Sequence, residues 1–300
     1  MEIISRRAHT FYLTLFFLNL FFVGFALLFF LFREIKNGDF VGLIFVIMVI
    51  FFDYHYIKNC PTVSVNKNGI NIGNKYFKWE EVSEIKMTGK GSGFIFGYME
   101  ATRLSFQNLN TVYIYDDFYQ NASEIKSFIN TVVINKDEFL TLKQIKPNKK
   151  DISFENLVAF KGHPVFSFRG IMIWGFVLAF IIMHLYYIKN IGIKSLILLS
   201  GLILFWLLLN FWMTYYFSAS KNIFVVRNHY FFWIQKIYNL DDIEEIVYEQ
   251  QGKQANSLRL ITKDFKSKKF MAGTLNNKKW LEMKTFLEEK NIKVRNECIY

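Results

Sequence analysis

Residues 75–85 read KYFKWEEVSEI, and residues 236–246 read KIYNLDDIEEI. Both stretches hold a lysine, an aromatic two residues on, two adjacent acids, a β-branched residue and then x-Glu-Ile. Each predicts a strand, a tight turn at the acids and a second strand. A pattern this specific, written twice about 160 residues apart, points to an internal duplication.

Working outward, each copy begins with basic residues and a long apolar pair of segments. The chain is 52% hydrophobic and 19% aromatic, with 35 Phe and only 3 Pro. No charge interrupts Phe11 to Phe32. As a helix that run is roughly 33 Å long, enough to cross a hydrocarbon core of about 30 Å. Further apolar runs cover Phe40–Phe52, extended by Tyr54–Ile57, then Ile171–Ile188 and Ser195–Phe217. The expectation is an α+β membrane protein with four transmembrane helices in two hairpins. The joints are REIKNGD (33–39) and KNIGIK (189–194), where Asn and Gly end helices. The first run is too long for a signal-peptide core and lacks a small-x-small cleavage site, so it reads as a retained anchor. The domain reading is hairpin 1 at 1–57, soluble domain 1 at 58–134, a linker at 135–169, hairpin 2 at 170–217 and soluble domain 2 at 218–300.

Lys and Arg set the orientation. Arg6, Arg7, Lys58, Lys67, Lys161, Arg169, Lys221 and Arg227 flank the outer ends of the apolar runs. The joints hold only Arg33, Lys36, Lys189 and Lys194. The bias places both termini and both soluble segments in the cytoplasm. Two distant cysteines, Cys60 and Cys298, indicate neither a disulfide framework nor a zinc site and suit a reducing compartment.

The soluble segments alternate apolar and polar residues, as half-buried antiparallel strands do. In the first copy VSVNKNGINIG (63–73) precedes the motif, and TRLSFQN with TVYIYDD (102–108 and 111–117) follows it around Leu109-Asn110. In the second, FSASKNIFVVRN (217–228) precedes it, HYFFWIQ (229–235) lengthens the first β-hairpin, and SLRLITKD with KSKKFMAG (257–264 and 266–273) follows around Phe265. Each copy then ends in an amphipathic helix. Asn121 is placed to cap the first, with Ile125, Phe128, Ile129 and Val132 on one face. Asn276 or Asn277 is placed to cap the second, with Trp280, Met283 and Leu287 on one face. Aligning SFI (127–129) with TFL (285–287) makes Phe128 and Phe286 equivalent and buried. Each soluble unit is thus six or seven short strands closed by one helix.

This order, a strand with an Asn-Gly turn, a strand, Trp-Glu-Glu-Val-x-Glu-Ile, two hairpin strands and a terminal helix, resembles the bacterial pleckstrin-homology-like (PH-like) domains. The resemblance covers nearly the whole chain, twice. The second copy departs from it: Leu240 stands where the first has Trp79, Asp241-Asp242 where it has Glu80-Glu81, and Ile223 where it has Gly69. The resemblance implies attachment to a two-helix membrane hairpin in a bacterial cytoplasmic membrane, a role in protection against membrane-active peptides, and no catalytic residues.

The charge of +11 is uneven: residues 218–300 sum to +5 and residues 58–133 to +1. Lys263, Lys266, Lys268 and Lys269 lie on one predicted hairpin, and Lys278 and Lys279 begin the following helix. Two readings stand. Lysines on an edge strand block unwanted pairing. Lysines beside a membrane also dock anionic headgroups, which is how PH-like folds that bind phosphoinositides use basic hairpins. No nucleic-acid motif accompanies the charge.

The remaining constellations have plain readings. Glu80, Glu81, Glu84, Asp241, Asp242, Glu244 and Glu245 are acids at strand turns without a neighbouring His or Cys. TGKGSGFIFG (88–97) lacks the Gly-Lys-Ser/Thr of a phosphate-binding loop and predicts a flexible inter-strand loop. Asp53, His184 and Asn210 sit in or near the apolar runs, the first two beside tyrosines of an interfacial set. ISFENLVAF (152–160) suits either the membrane surface or a neighbouring element. No nucleophile–base pair, metal cluster or cofactor loop emerges. The favoured function is a non-enzymatic membrane scaffold, or an envelope-protection or immunity factor, binding a protein partner or anionic lipid without a cofactor. The rival is a transporter or membrane-embedded enzyme with its site among the helices.

Overall fold

The computed structural model describes residues 2–31, 38–93, 97–107, 109–137, 156–187, 193–252 and 254–299. Most of both joints between the apolar runs, and the basic stretch at 142–150, lie outside them. The chain divides into two units, Met1–Lys143 and Gln144–Tyr300.

In the first unit, strand β1 (Glu2–Ile4) precedes helices α1 (His9–Leu31) and α2 (Gly38–Lys58). Strands β2 (Val63–Asn66), β3 (Gly69–Ile72) and β4 (Lys75–Lys78) follow, in an antiparallel sheet ordered β1-β2-β3-β4. A 3₁₀ turn at Trp79–Glu81 leads to β5 (Val82–Lys86), β6 (Lys90–Gly93), β7 (Gly97–Phe106) and β8 (Leu109–Tyr115). The long β7 pairs with each of the other three. Helix α3 (Ala122–Phe128), continued by a π-helical turn at Ile129–Ile134, buries Ile125, Phe128 and Ile129 completely.

The second unit repeats the order as far as the 3₁₀ turn. Strand β9 (Val158–Phe160) precedes α4 (Phe168–Tyr187) and α5 (Ile193–Phe211). Strands β10 (Tyr215–Ala219), β11 (Ile223–Asn228) and β12 (Gln235–Asn239) complete a sheet ordered β12-β11-β10-β9. A 3₁₀ turn at Leu240–Asp242 leads to β13 (Ile243–Glu249), β14 (Ser257–Thr262) and β15 (Ser267–Met271), then α6 (Asn277–Glu288) and β16 (Lys293–Asn296). The second sheet is ordered β15-β14-β13-β16, with β16 parallel to β13.

The duplicated motif has one geometric meaning in both units. The ladder slips by a residue between Val82 and Glu84, and again between Ile243 and Glu245. In a regular strand, residues three apart face opposite sides. The bulge turns Val82 and Ile85 to the same core, and likewise Ile243 and Ile246. The acids before it are turn caps: the Glu81 carboxylate accepts the Lys78 N–H at 3.1 Å, and Asp242 accepts from the Asn239 side chain at 2.9 Å. Trp79 adds an indole N–H bond to the Asn66 carbonyl at 2.8 Å, which Leu240 cannot make.

Several expectations need correction. Three described stretches, His9–Leu27, Asp39–Lys58 and Phe168–Tyr186, are long and apolar enough to span a bilayer, not four. The predicted fourth run, Ser195–Phe217, is not all helix: α5 stops at Phe211, and Tyr215–Ala219 form a strand. The 135–169 segment is more than a linker, because it supplies β9, with Phe217 opposite Phe160. Hairpin 1 is likewise preceded by β1, with Ile3 opposite Val65. Of the glycine-rich 88–97 segment, read as a loop, Lys90–Gly93 form β6 and Gly97 opens β7, while 94–96 lie outside the described residues. Gly91 is required there, since a Cβ would come within 2.7 Å of the Tyr113 ring. Leu109-Asn110 open β8 instead of forming the turn.

The helices also differ in detail. Asn276 caps α6, its side chain accepting the Lys279 N–H at 2.9 Å. Asn121 is the N-cap residue of α3, but its side chain makes no cap hydrogen bond; it bonds the backbone of Ile4 and Arg6 instead, tying β1 and its exit to the domain. Phe286 is only half-buried, against the Phe160 ring and Lys290. Counting from each Asn, Ile125, Phe128 and Val132 correspond to Trp280, Met283 and Leu287, so Met283 is the partner of Phe128. Finally, α6 is not the end of its unit, because β16 follows it.

Candidate functional site

The basic hairpin is β14–β15, closed by the turn Lys263–Lys266. Phe265 takes the left-handed conformation that the turn requires, at φ 58°. Inside the turn the Thr262 hydroxyl donates to the Asp264 carboxylate, and Lys266 Nζ lies 2.6 Å from the same group. Burial alone would raise the Asp264 pKa, but the Lys266 and Thr262 bonds outweigh it and hold the carboxyl below its ordinary value.

The six lysines therefore divide. Lys266 is paired with Asp264, Lys279 with Glu282, and Lys269 donates to the Gln251 side chain at 3.0 Å. Lys263, Lys268 and Lys278 are exposed and take part in no ion pair among the described residues. A neighbour overlooked in the sequence joins them. Lys236 on β12 lies with its ammonium 5.2 Å from the Phe270 ring centre. Burial first, and then the Lys268 charge, lower its pKa. It opens the same KIYNLDDIEEI motif that fixes the fold, but strand pattern alone does not place it beside Lys268.

Between edge strand β12 and the β14–β15 hairpin lies a cleft of about 190 Å³. Its apolar lining includes Ile237 and Leu260; Asp242, Asp264, Lys266 and Lys268 supply its charges. Tyr238 also lines it, its phenol pKa pushed up to about 12 by burial, so the ring stays neutral. Small-molecule sites run from about 300 Å³ upward. A cleft this size with mixed charge suits a shallow surface contact better than an enclosed cofactor. Lys263, Lys269, Lys278 and Lys279 do not line it.

The other candidates have structural partners. Glu84 lies near Lys86 and Arg103, and the buried Glu245 takes Lys293 at 2.9 Å and Arg295 at 3.6 Å. Asp53 accepts from the Asn19 side chain at 3.1 Å, joining α1 to α2. Asn210 accepts from Arg169 at 3.3 Å, joining α4 to α5. Stacked rings, Phe22 on Phe52 and Phe29 on Phe45, hold the first helix pair together. Among the described residues no group of three His, Cys, Asp or Glu side chains is placed to hold a metal. Cys60 is buried, with its thiol pKa raised mainly by that burial.

No family model matches the chain, and no curated protein matches it either.

Proposed function

We propose that this chain is a non-enzymatic integral membrane protein, built as a tandem of two PH-like domains that are each tied to a membrane hairpin. The domains face the cytoplasm of a bacterial cell, and they serve as a scaffold or protection factor that docks anionic lipid or a protein partner. One observation carries the reading. In each unit the strand before the helix pair is hydrogen-bonded to the strand after it, β1 to β2 and β9 to β10. A chain that leaves the sheet through α1 or α4 must return to the same sheet, so each domain sits at the open end of its own hairpin. α5 is not one of the three candidate spans, and we assign it the return from α4 because the chain passes from it into β10 of the β9 sheet. The exposed apolar side chains of the helices support a lipid environment: Phe16 is 60% exposed, Leu20 57% and Leu178 59%.

The lipid contact is assigned to Lys263, Lys268 and Lys278, because the other three lysines already have partners. Each lysine near an anionic surface contributes roughly 1 kcal/mol, so the three together contribute about 3 kcal/mol at most. The test uses the full chain, since a fragment starting at residue 218 would cut β10 and omit β9. In nanodiscs of mixed neutral and acidic lipid, mass spectrometry of the retained lipid should show acidic lipid enriched. The variant with all three lysines changed to Gln should lose that enrichment, and high salt should weaken it, because the screening length falls from about 8 Å at physiological ionic strength to about 3 Å at 1 M. Equal enrichment in the variant returns these lysines to an edge-protecting role.

A further inference from the structure

The second unit carries a feature that the first lacks. Between β3 and β4 the first unit makes a two-residue turn, Gly73-Asn74, with Gly73 at φ 62°. At the equivalent place, between β11 and β12, the second unit holds six residues, HYFFWI (229–234). Three aromatics fill the tip. Phe232 is 84% exposed and Trp233 66% exposed, while Phe231 packs 5.3 Å from Trp233. Adjacent exposed rings at a hairpin tip make a contiguous apolar patch, which marks a contact surface.

The loop is fixed in place. The buried Asn228 accepts the N–H groups of Tyr230 and Phe231 at 2.9 and 3.0 Å, and its own amide donates to the Phe211 carbonyl that ends α5. Tyr230 stacks on Phe211 at 4.0 Å. Its hydroxyl accepts the Trp174 indole N–H at 3.0 Å and donates to the Pro164 carbonyl at 2.9 Å. Trp174 lies in the second turn of α4, one of the helices long enough to span. The depth of the loop is thus set by the domain-side ends of α4 and α5.

The surroundings match a membrane interface. Trp212 is 54% exposed and 6.2 Å from Phe231, and Phe168, at the start of α4, is 84% exposed. The only ionisable side chain of the loop besides Tyr230 is His229. Burial, with Lys161 and His163 nearby, lowers its pKa to about 4, so it is neutral at physiological pH. Trp and Tyr rings at the ends of membrane helices sit at headgroup level, and Trp, Phe and Leu side chains of an interfacial element bury a few ångströms into the acyl boundary.

We propose that the Phe231-Phe232-Trp233 tip inserts into the interfacial layer of the bilayer leaflet from which α4 emerges. It would be a third attachment of the second domain beside its two helices, with no counterpart in the first. The proposal rests on the membrane reading of α4, so its test separates the two. Nitroxide labels are placed in the full chain, reconstituted in vesicles, by Phe232→Cys, Lys221→Cys and Leu178→Cys. The background carries Cys298→Ser and keeps the buried Cys60. Lys221 is an exposed residue of the β10–β11 turn, and Leu178 lies in the middle of α4. Relaxation by oxygen reports the apolar phase, and relaxation by a water-soluble nickel chelate reports the aqueous phase. The label at 232 should respond to oxygen severalfold more than the label at 221, and to nickel severalfold less. Nickel access at 232 equal to that at 221 overturns the proposal, because the tip is then in water. Silence toward both reagents also overturns it, because protein then covers the tip. Nickel access at 178 would instead overturn the membrane reading itself.

Discussion

Replacing Trp280 by Ala should cost the second domain about 3–5 kcal/mol, and Phe128→Ala should cost the first domain a similar amount. Both side chains are 0% exposed and sit under the helix that closes a sheet pair. Trp280 lies 4.7 Å from the Tyr248 ring and 5.8 Å from Phe217, so its loss leaves a large cavity bounded by both sheets. Hydrogen exchange of the full chain in detergent is the appropriate readout, because it resolves each domain separately. Amides of β13 and β14 should exchange faster in Trp280→Ala by about two to four orders of magnitude, at roughly 1.4 kcal/mol per tenfold. Amides of β7 should do so in Phe128→Ala. Phe286→Ala removes a half-buried ring and should have a much smaller effect. If Phe286→Ala matched Trp280→Ala, the helix would be seated by a different face from the one described.

The second large effect concerns charge buried away from water. Lys126 Nζ lies 2.6 Å from Asp116 Oδ1, with both side chains almost fully buried. In the other unit Arg259 and Glu249 meet at 3.0 Å, and the guanidinium also donates to the Ser267 hydroxyl at 2.8 Å. Breaking such a pair from one side is expensive because the remaining charge stays desolvated. Lys126→Met should therefore destabilise the first domain by about 3–5 kcal/mol. The double variant Lys126→Met, Asp116→Leu should recover much of that loss, since two apolar groups need no counter-charge. A double variant no more stable than the single one would show that the Lys126–Asp116 attraction is not what stabilises the site.

The duplicated motif made the two soluble units legible, because a bulge needs its core residues three apart, and Val82 and Ile85, like Ile243 and Ile246, are written that way. The first strand of each sheet was not legible. Glu2–Ile4 and Val158–Phe160 are three residues long, too short for period-two alternation to register. Each finds its partner only after a helix pair of some fifty residues has intervened. The fourth apolar run misled because its last residues, Tyr215–Phe217, are as apolar in a buried strand as they would be in a bilayer helix. The Asn276 cap gives α6 its buried face of Trp280, Met283 and Leu287, whereas matching SFI to TFL shifts α6 against α3 by three residues and puts Phe286 in the place of Met283. At the candidate site, sequence supplied the positive charges but not their neutralisation. Asp264 adjoins Lys266 in the turn, yet only the folded hairpin shows the pair formed, and Gln251 reaches Lys269 from 18 residues away. Lys236 was missed for the converse reason, since only the folded sheets bring it to Lys268.

The central claim is that each domain sits at the base of a hairpin that leaves and returns on one side. Reporters inserted near Asn148 and after Tyr300, and within 33–39 and 189–194, test it in living cells. The account predicts cytoplasmic signal at Asn148 and Tyr300, and exterior signal in both joints. An exterior signal at Tyr300 with a cytoplasmic one at Asn148 would mean that the chain crosses at α4 without returning, and would contradict it.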